Sequence, residues 1–184
     1  MSATIEGVEI KELKSHGDER GFFREILRSS DIAFKDGIFG QWSHSKMAFN
    51  VVKAWHYHHI QTDWWYIPFG QVQTVLYDNR PESETYKQKM IFLMGEKNAQ
   101  SDSTNSDLLV RIPPGVLHGL KVLSPAGAHI MYITSITYDP HEEGRFPYNS
   151  AFVGHEWGQD VIVVDNDKRE FVPHSTRKLI RSVS

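Results

Sequence analysis

Trp55-His56-Tyr57-His58-His59-Ile60-Gln61-Thr62-Asp63 runs directly into Trp64-Trp65-Tyr66-Ile67-Pro68-Phe69-Gly70. Three histidines and a carboxylate fall within eight residues, between segments that read as strands. His56 and His58 are two apart, so a strand turns both to one face and His59 to the other. Asp63 follows His58 by five residues, beyond a bend. About fifty residues on, Pro113-Pro114-Gly115-Val116-Leu117-His118-Gly119 makes a turn that delivers His118 to another strand. Together the two segments suggest a small β-barrel with polar chemistry inside. Whether His56 acts as a base or as a metal ligand is open at this point.

Working outward, the strand signal recurs at short, regular spacing. Alternation or β-branched and aromatic enrichment marks residues 7–13, 22–27, 41–45, 51–57, 64–69, 72–77, 86–94, 108–112, 118–123 and 129–136. Turn-forming residues separate them at 16–21, at Gly70 and at 78–83, and a polar loop spans 95–107. Residues 29–35 read as a short helical turn capped by Ser30 or Asp31. Some nine to eleven short strands predict an all-β sandwich or barrel. From Asp139 onward Pro140, Gly144, Pro147, Gly154, Gly158 and Pro173 break the texture. Residues 139–184 therefore read as a tail wrapping one domain of 184 residues, with short helical segments near the C-terminus.

Composition narrows the function. A net charge of -3 gives no electrostatic case for nucleic acid or an anionic membrane. A few local cations would still hold an anionic small molecule. There is no cysteine, which excludes disulfides and thiolate metal sites. The N-terminus lacks the basic-then-apolar pattern of a signal peptide, and no apolar run reaches membrane-spanning length. The expectation is a soluble, cytoplasmic protein.

The pattern His-x-His, then an acid, then Gly seven residues later, with Pro-x-Gly-x-x-His beyond, resembles the two signature motifs of the cupin superfamily. In metal-binding cupins those positions hold three histidines and a glutamate; here they would be His56, His58, Asp63 and His118. The likeness narrows further. Gly17-Asp18-Glu19-Arg20-Gly21-Phe22-Phe23-Arg24-Glu25 resembles the Asp-x-Arg-Gly-Phe-Phe-x-Glu segment of the dTDP-4-dehydrorhamnose 3,5-epimerase family. Gln41-Trp42-Ser43-His44-Ser45 is similar to its Gln-x-Asn-x-Ser strand, and Lys53-Ala54-Trp55-His56-Tyr57-His58 stands at its Arg-Gly-Leu-His-Tyr-Gln. Asp78 to Thr85 fits its Asp-x-Arg-x-x-Ser-x-Thr turn, and Ile112 to Gly119 its Pro-Pro-Gly-x-x-His-Gly. Tyr132 to Pro140 resembles its paired-tyrosine segment, and Val164-Asp165-Asn166-Asp167 its late Ser-Asp-x-Asp.

That resemblance implies a cupin jelly-roll barrel (a double-stranded β-helix) and an epimerase of a nucleotide-linked 4-keto-6-deoxyhexose. The 4-keto group acidifies the hydrogens at C3 and C5. A base removes one, an enolate forms, and an acid returns a proton to the opposite face. By the resemblance His56 is the base, Asp167 orients it (Asp165 being the alternative), and Tyr132 is the opposing acid. Arg20, Glu25, Gln41, Lys53, His118 and Tyr138 are implied to contact nucleotide, diphosphate or sugar. No cofactor is implied. A homodimer is, with strands in about residues 7–28 exchanged so that Arg20 acts across the interface. The pathway implied is deoxysugar supply for surface polysaccharide.

The departures lie around His56. The family's arginine is Lys53, which keeps a cation but loses the bidentate fork. Its enolate-stabilising lysine falls at Asp63, after a loop about three residues shorter. An aspartate falls at Thr74, and a glutamine becomes His58. Three expectations follow: an epimerase with a modified site, acting at C3, C5 or both; a cupin holding zinc, iron, nickel or manganese on His56, His58, Asp63 and His118; or a homologue that binds nucleotide sugars without turnover.

Overall fold

The structure is a computed structural model that describes residues 4–34, 37–96 and 107–163. Two antiparallel five-stranded sheets carry the chain. One has the order β1 (Glu9–Glu12), β9 (Leu108–Ile112), β6 (Asp63–Phe69), β11 (Ala128–Thr134), β4 (Gln41–Met47). The other runs β12 (Glu143–Arg145), β5 (Val52–His58), β10 (Val116–Val122), β7 (Gln71–Asp78), β8 (Lys89–Gly95). A separate hairpin pairs β2 (Ser15–Asp18) with β3 (Gly21–Arg24).

Period-two alternation sorts the aromatic run into layers. On β6, Trp65 and Ile67 join the core between the sheets, packing with Val72, Leu76, Val110 and Leu120. Trp64 points outward and is buried under Ala33 and Leu13, with its indole N–H donating to the Ala33 carbonyl. On β5, Trp55 and Tyr57 also face outward, where Val153 and Trp157 cover them. Both sheets thus bury apolar residues on their outer faces as well, where segments of the chain outside the sheets cover them.

The expected strands are present, with shifted ends. Tyr86 and Lys87 lie in a turn rather than a strand, since Lys87 adopts φ 66° and donates its N–H to the Asp78 carbonyl. The turn expected at 16–21 shrinks to Glu19 and Arg20 because Ser15 to Asp18 pair with β3. A single 3-10 turn, Ile32–Phe34, stands where a helical turn was expected, with the Asp31 carboxylate accepting from the Arg28 N–H. No helix occurs in residues 139–163, and the expected C-terminal helical segments beyond them lie outside the described residues. Most of the 95–107 loop does too.

One irregularity sets the geometry of the site. Along β10, His118 pairs with His56, but Leu120 pairs with Lys53. Two residues of β5 therefore oppose one of β10, a β-bulge. Regular alternation would turn Lys53 away from His56; the bulge brings both to the inner face. Gly119 stands opposite it, where a Cβ would meet the Ala54 side chain.

Asp78 anchors the turn after β7. Its fully buried carboxylate accepts from Arg80 Nε at 2.8 Å, Ser83 Oγ at 2.6 Å and Thr85 Oγ1 at 2.6 Å. Burial pushes this carboxyl up, but those hydrogen bonds outweigh it and hold it at about 2. A carboxyl at about 2 against an ordinary 3.8 contributes about 2 kcal/mol of stability, present above pH 3.8 and lost as pH falls through 2. Asp78→Ala should cost about 3 kcal/mol, because three part-buried donors lose the buried carboxylate they share. Urea unfolding reads it, and a loss under ~1 kcal/mol would contradict this account.

Candidate active site

The inward-facing residues at one end of the barrel enclose a cavity of about 240 Å³. Ligand pockets commonly span ~300–1,000 Å³. The enclosed space therefore suits one end of a larger ligand, the remainder lying along its open mouth. Lys53, His56 and His58 reach it from β5, His118 from β10, Asp63 from β6 and Tyr132 from β11. Gln41 lines it from β4, accepting from the Tyr138 backbone N–H, and Tyr138 stands exposed at the rim.

His56 and Tyr132 enter from opposite walls, because β5 and β11 belong to different sheets. Packed sheets lie ~10 Å apart. A flat group between them would present one face to the imidazole and the other to the phenol.

His56 Nδ1 lies 3.2 Å from Glu143 Oε1 on β12. A carboxylate only accepts, so Nδ1 carries the proton and Nε2 offers its lone pair. Burial, followed by the positive charge of Arg145, holds the His56 imidazolium well below its usual 6.5. His56 is therefore unprotonated at neutral pH, as a base must be. The same Glu143 oxygen takes Arg145 Nη2 at 2.5 Å. The resemblance implies Asp167 as the orienting carboxylate, with Asp165 as the alternative, and both lie outside the described residues. Among the described residues Glu143 holds that place. A three-residue strand with a central glycine carries no periodicity, so only the Glu-x-Arg spacing could have signalled it.

Beneath His56 lies a second group. His58 Nε2 is 3.8 Å and His118 Nε2 4.0 Å from Asp63 Oδ2. The Gln61 amide bridges them, donating to Asp63 Oδ1 at 2.7 Å and facing His58 Nε2 at 3.1 Å. Trp65 Nε1 donates to Asp63 Oδ2. His118 Nδ1 donates to the Val116 carbonyl at 3.1 Å, which leaves its Nε2 lone pair facing inward. Burial holds both His58 and His118 at about 4 and pushes the Asp63 carboxyl up. Ligand atoms of these three residues all lie within 4.8 Å of one another. His56 is not in the cluster, so three of the four candidate metal ligands come together.

Two candidates fall elsewhere. Arg20 is bound to Asp18 on the exposed hairpin, and Glu25 to Arg28; neither lines the cavity. Lys53 donates to Ser45 Oγ at 2.9 Å, and burial followed by the Arg145 charge lowers its ammonium pKa. Thr74 is buried, and its hydroxyl has no partner among the described residues.

The fold and this site define a cupin-type barrel with a histidine and a tyrosine entering one cavity from different sheets. The comparisons with known proteins agree. The family model for dTDP-4-dehydrorhamnose 3,5-epimerase matches residues 2–172. The spore coat polysaccharide biosynthesis protein SpsL of Bacillus subtilis is 39% identical over 158 residues, covering 85% of this chain and 98% of SpsL. The dTDP-4-dehydrorhamnose 3,5-epimerase of Salmonella typhimurium is 30% identical, covering 85% of this chain and 84% of that one. Among solved structures, dTDP-6-deoxy-D-glucose-3,5-epimerase from Legionella pneumophila, in complex with dTDP-4-keto-L-rhamnose, superposes with a TM-score of 0.75 at 26% identity, covering 90% of this chain and 87% of that one. The chain belongs to the dTDP-4-dehydrorhamnose 3,5-epimerase family of sugar-nucleotide epimerases. Among the described residues no helix is long and apolar enough to cross a membrane.

Proposed function

We propose that this protein epimerises a nucleotide-linked 4-keto-6-deoxyhexose, the class bound in the Legionella pneumophila relative, in deoxysugar supply for a surface polysaccharide. The observation that carries this reading is the placement of His56 and Tyr132 on opposite sheets around one cavity. His56 Nε2 takes the proton from the carbon beside the keto group. The C–H electron pair moves into the enolate, and the Tyr132 hydroxyl returns a proton to the other face. Glu143 holds the imidazole in the tautomer this needs and offsets the imidazolium once it forms. Deuterium wash-in at C3 and C5 of a dTDP-linked 4-keto-6-deoxyhexose in heavy water tests it, with GDP and CDP sugars beside it. Tight binding without exchange would leave a binding protein instead.

The buried cluster favours a second reading, a divalent metal on His58, Asp63 and His118. Two donors each about 2.1 Å from an ion stand ~3.4 Å apart at a tetrahedral angle. The three ligand atoms would close on an ion with small side-chain shifts, and both imidazoles are neutral, the ligating form. Such an ion would supply an electrophile for the enolate oxygen. Metal analysis of untagged protein decides: no stoichiometric metal, and none taken up on titration, removes this reading.

The exposed hairpin supports a homodimer. Phe22 and Phe23 are 65% and 64% exposed there, beside Arg20. In this reading the hairpin reaches the partner and Arg20 meets its nucleotide. Sedimentation reads the assembly, and wild-type nucleotide affinity in Arg20→Ala would count against the Arg20 role. A cytoplasmic location belongs to the same reading, on the absence of cysteine, and cell fractionation reads it.

A further inference from the structure

Removing a proton beside a ketone puts a full negative charge on the carbonyl oxygen. The position that resembles the family's enolate-stabilising lysine is Asp63, whose carboxylate would repel an anion. Asp63 is also committed to Gln61 and Trp65. The cavity must find its positive charge elsewhere, and among the described residues two cations line it: Lys53 and Arg145.

Register separates them. Arg145 on β12 pairs directly with His56 on β5, and Glu143 with His58. Directly paired residues hold their side chains ~5 Å apart on one face of the sheet. The guanidinium therefore enters the cavity beside the imidazole that takes the proton. Lys53 sits beyond the bulge with its ammonium on Ser45 Oγ. Burial and the Arg145 charge both work against the charged form of Lys53, whereas a guanidinium stays protonated in any protein environment. The reach of Arg145 is broad: its positive charge also depresses the pKa of His56, His58 and His118.

We propose that Arg145 is the cation that stabilises the enolate oxygen, working through the Glu143 bridge it shares with His56. The charge balance is complete within these groups. Before reaction, Arg145 is positive, Glu143 negative and His56 neutral. The C–H bond breaks, an N–H bond forms on His56 Nε2, and the electron pair goes to the carbonyl oxygen. The imidazolium then matches the enolate, and the Arg145–Glu143 pair stays neutral overall. As His56 gains charge it draws on Glu143 Oε1, 3.2 Å away. Arg145, on the same oxygen, is left less compensated just as the enolate appears. Reprotonation at carbon from Tyr132 reverses the flow, and solvent resets both groups.

The proposal rests on the epimerase reading, and one experiment separates their fates. Deuterium exchange on the dTDP-linked 4-keto sugar is measured in wild type, Arg145→Gln and Arg145→Lys, with the affinity for dTDP alone and the melting temperature alongside. Arg145→Gln should lower kcat for exchange about 100-fold to 1,000-fold, as loss of one preorganised donor to an oxyanion does elsewhere. KM and dTDP affinity should stay within about twofold, because the charge acts only on the enolate. Arg145→Lys should recover at least about tenfold of the loss, since the charge returns without the fork. An unchanged kcat with raised KM, or equal losses in both variants, overturns the assignment and leaves the epimerase reading standing. Absence of exchange in wild type overturns both.

Discussion

His56→Asn should abolish measurable epimerisation, lowering kcat for solvent exchange about a thousandfold or more, while dTDP binds as before. A general base contributes typically 10²–10⁴ to the rate. The upper part of that range applies because, among the described residues, His56 is the imidazole paired with Glu143. His58 is committed to the Gln61–Asp63 group, and His118 donates to the Val116 carbonyl. Asparagine keeps a polar group of similar size on β5, so the strand and its pairing with β12 should persist.

The pH profile adds a second readout. The base must be unprotonated, so kcat/KM falls only as pH drops through its folded pKa. Burial first, then the Arg145 charge, sets that value well below 6.5. Activity should therefore be flat from pH 8 to 6.5 and fall on the acid side. A limb at 6.5 or above would mean that the titrating group is not this histidine. Exchange that persists in His56→Asn would remove the base assignment altogether.

How much of this was legible in the sequence depends on which physical signal carried each residue. His56, His58 and His118 were legible because strands alternate strictly and the Pro-Pro-Gly turn fixes where β10 begins. Tyr132 and Gln41 followed from the order of matched segments. Lys53 was placed by resemblance, but its facing was not readable, because a bulge reverses parity and its register lies in the pairing of two distant strands. Glu143 and Arg145 escaped for a related reason. Their positions depend on β12 adding to the edge of a sheet by pairing residues 85 to 89 apart in the chain, and a strand of three residues has no pattern of its own. Asp63 reads in sequence as a substituted lysine. The structure adds its partners, which turn an apparent loss into a buried polar cluster.

Gly144 shows how a residue read as a breaker is a requirement of the site. It pairs with Tyr57, and a Cβ placed there would fall within the Tyr57 ring, closer than real Cβ contacts come. Tyr57 is fully buried against Phe146 and His59, so its ring has nowhere to turn. In Gly144→Ala the strand must therefore move, and among the described strands β12 pairs with β5 alone. Overpacking of this kind costs typically 1–3 kcal/mol. For a chain of 184 residues that corresponds to a Tm lower by about 3–10 °C. The larger effect is on catalysis. Displacing β12 withdraws Glu143 from His56 Nδ1 and carries Arg145 with it, so base orientation and enolate charge fail together. Exchange should drop by at least about 100-fold, even at temperatures where the variant is fully folded. The affinity for dTDP should be nearly unchanged, because the strand displaced is the one beside the proton-transfer pair. Calorimetry and exchange on the same preparation separate the two effects. If Gly144→Ala melts with wild type and turns over normally, β12 does not hold the catalytic pair as described.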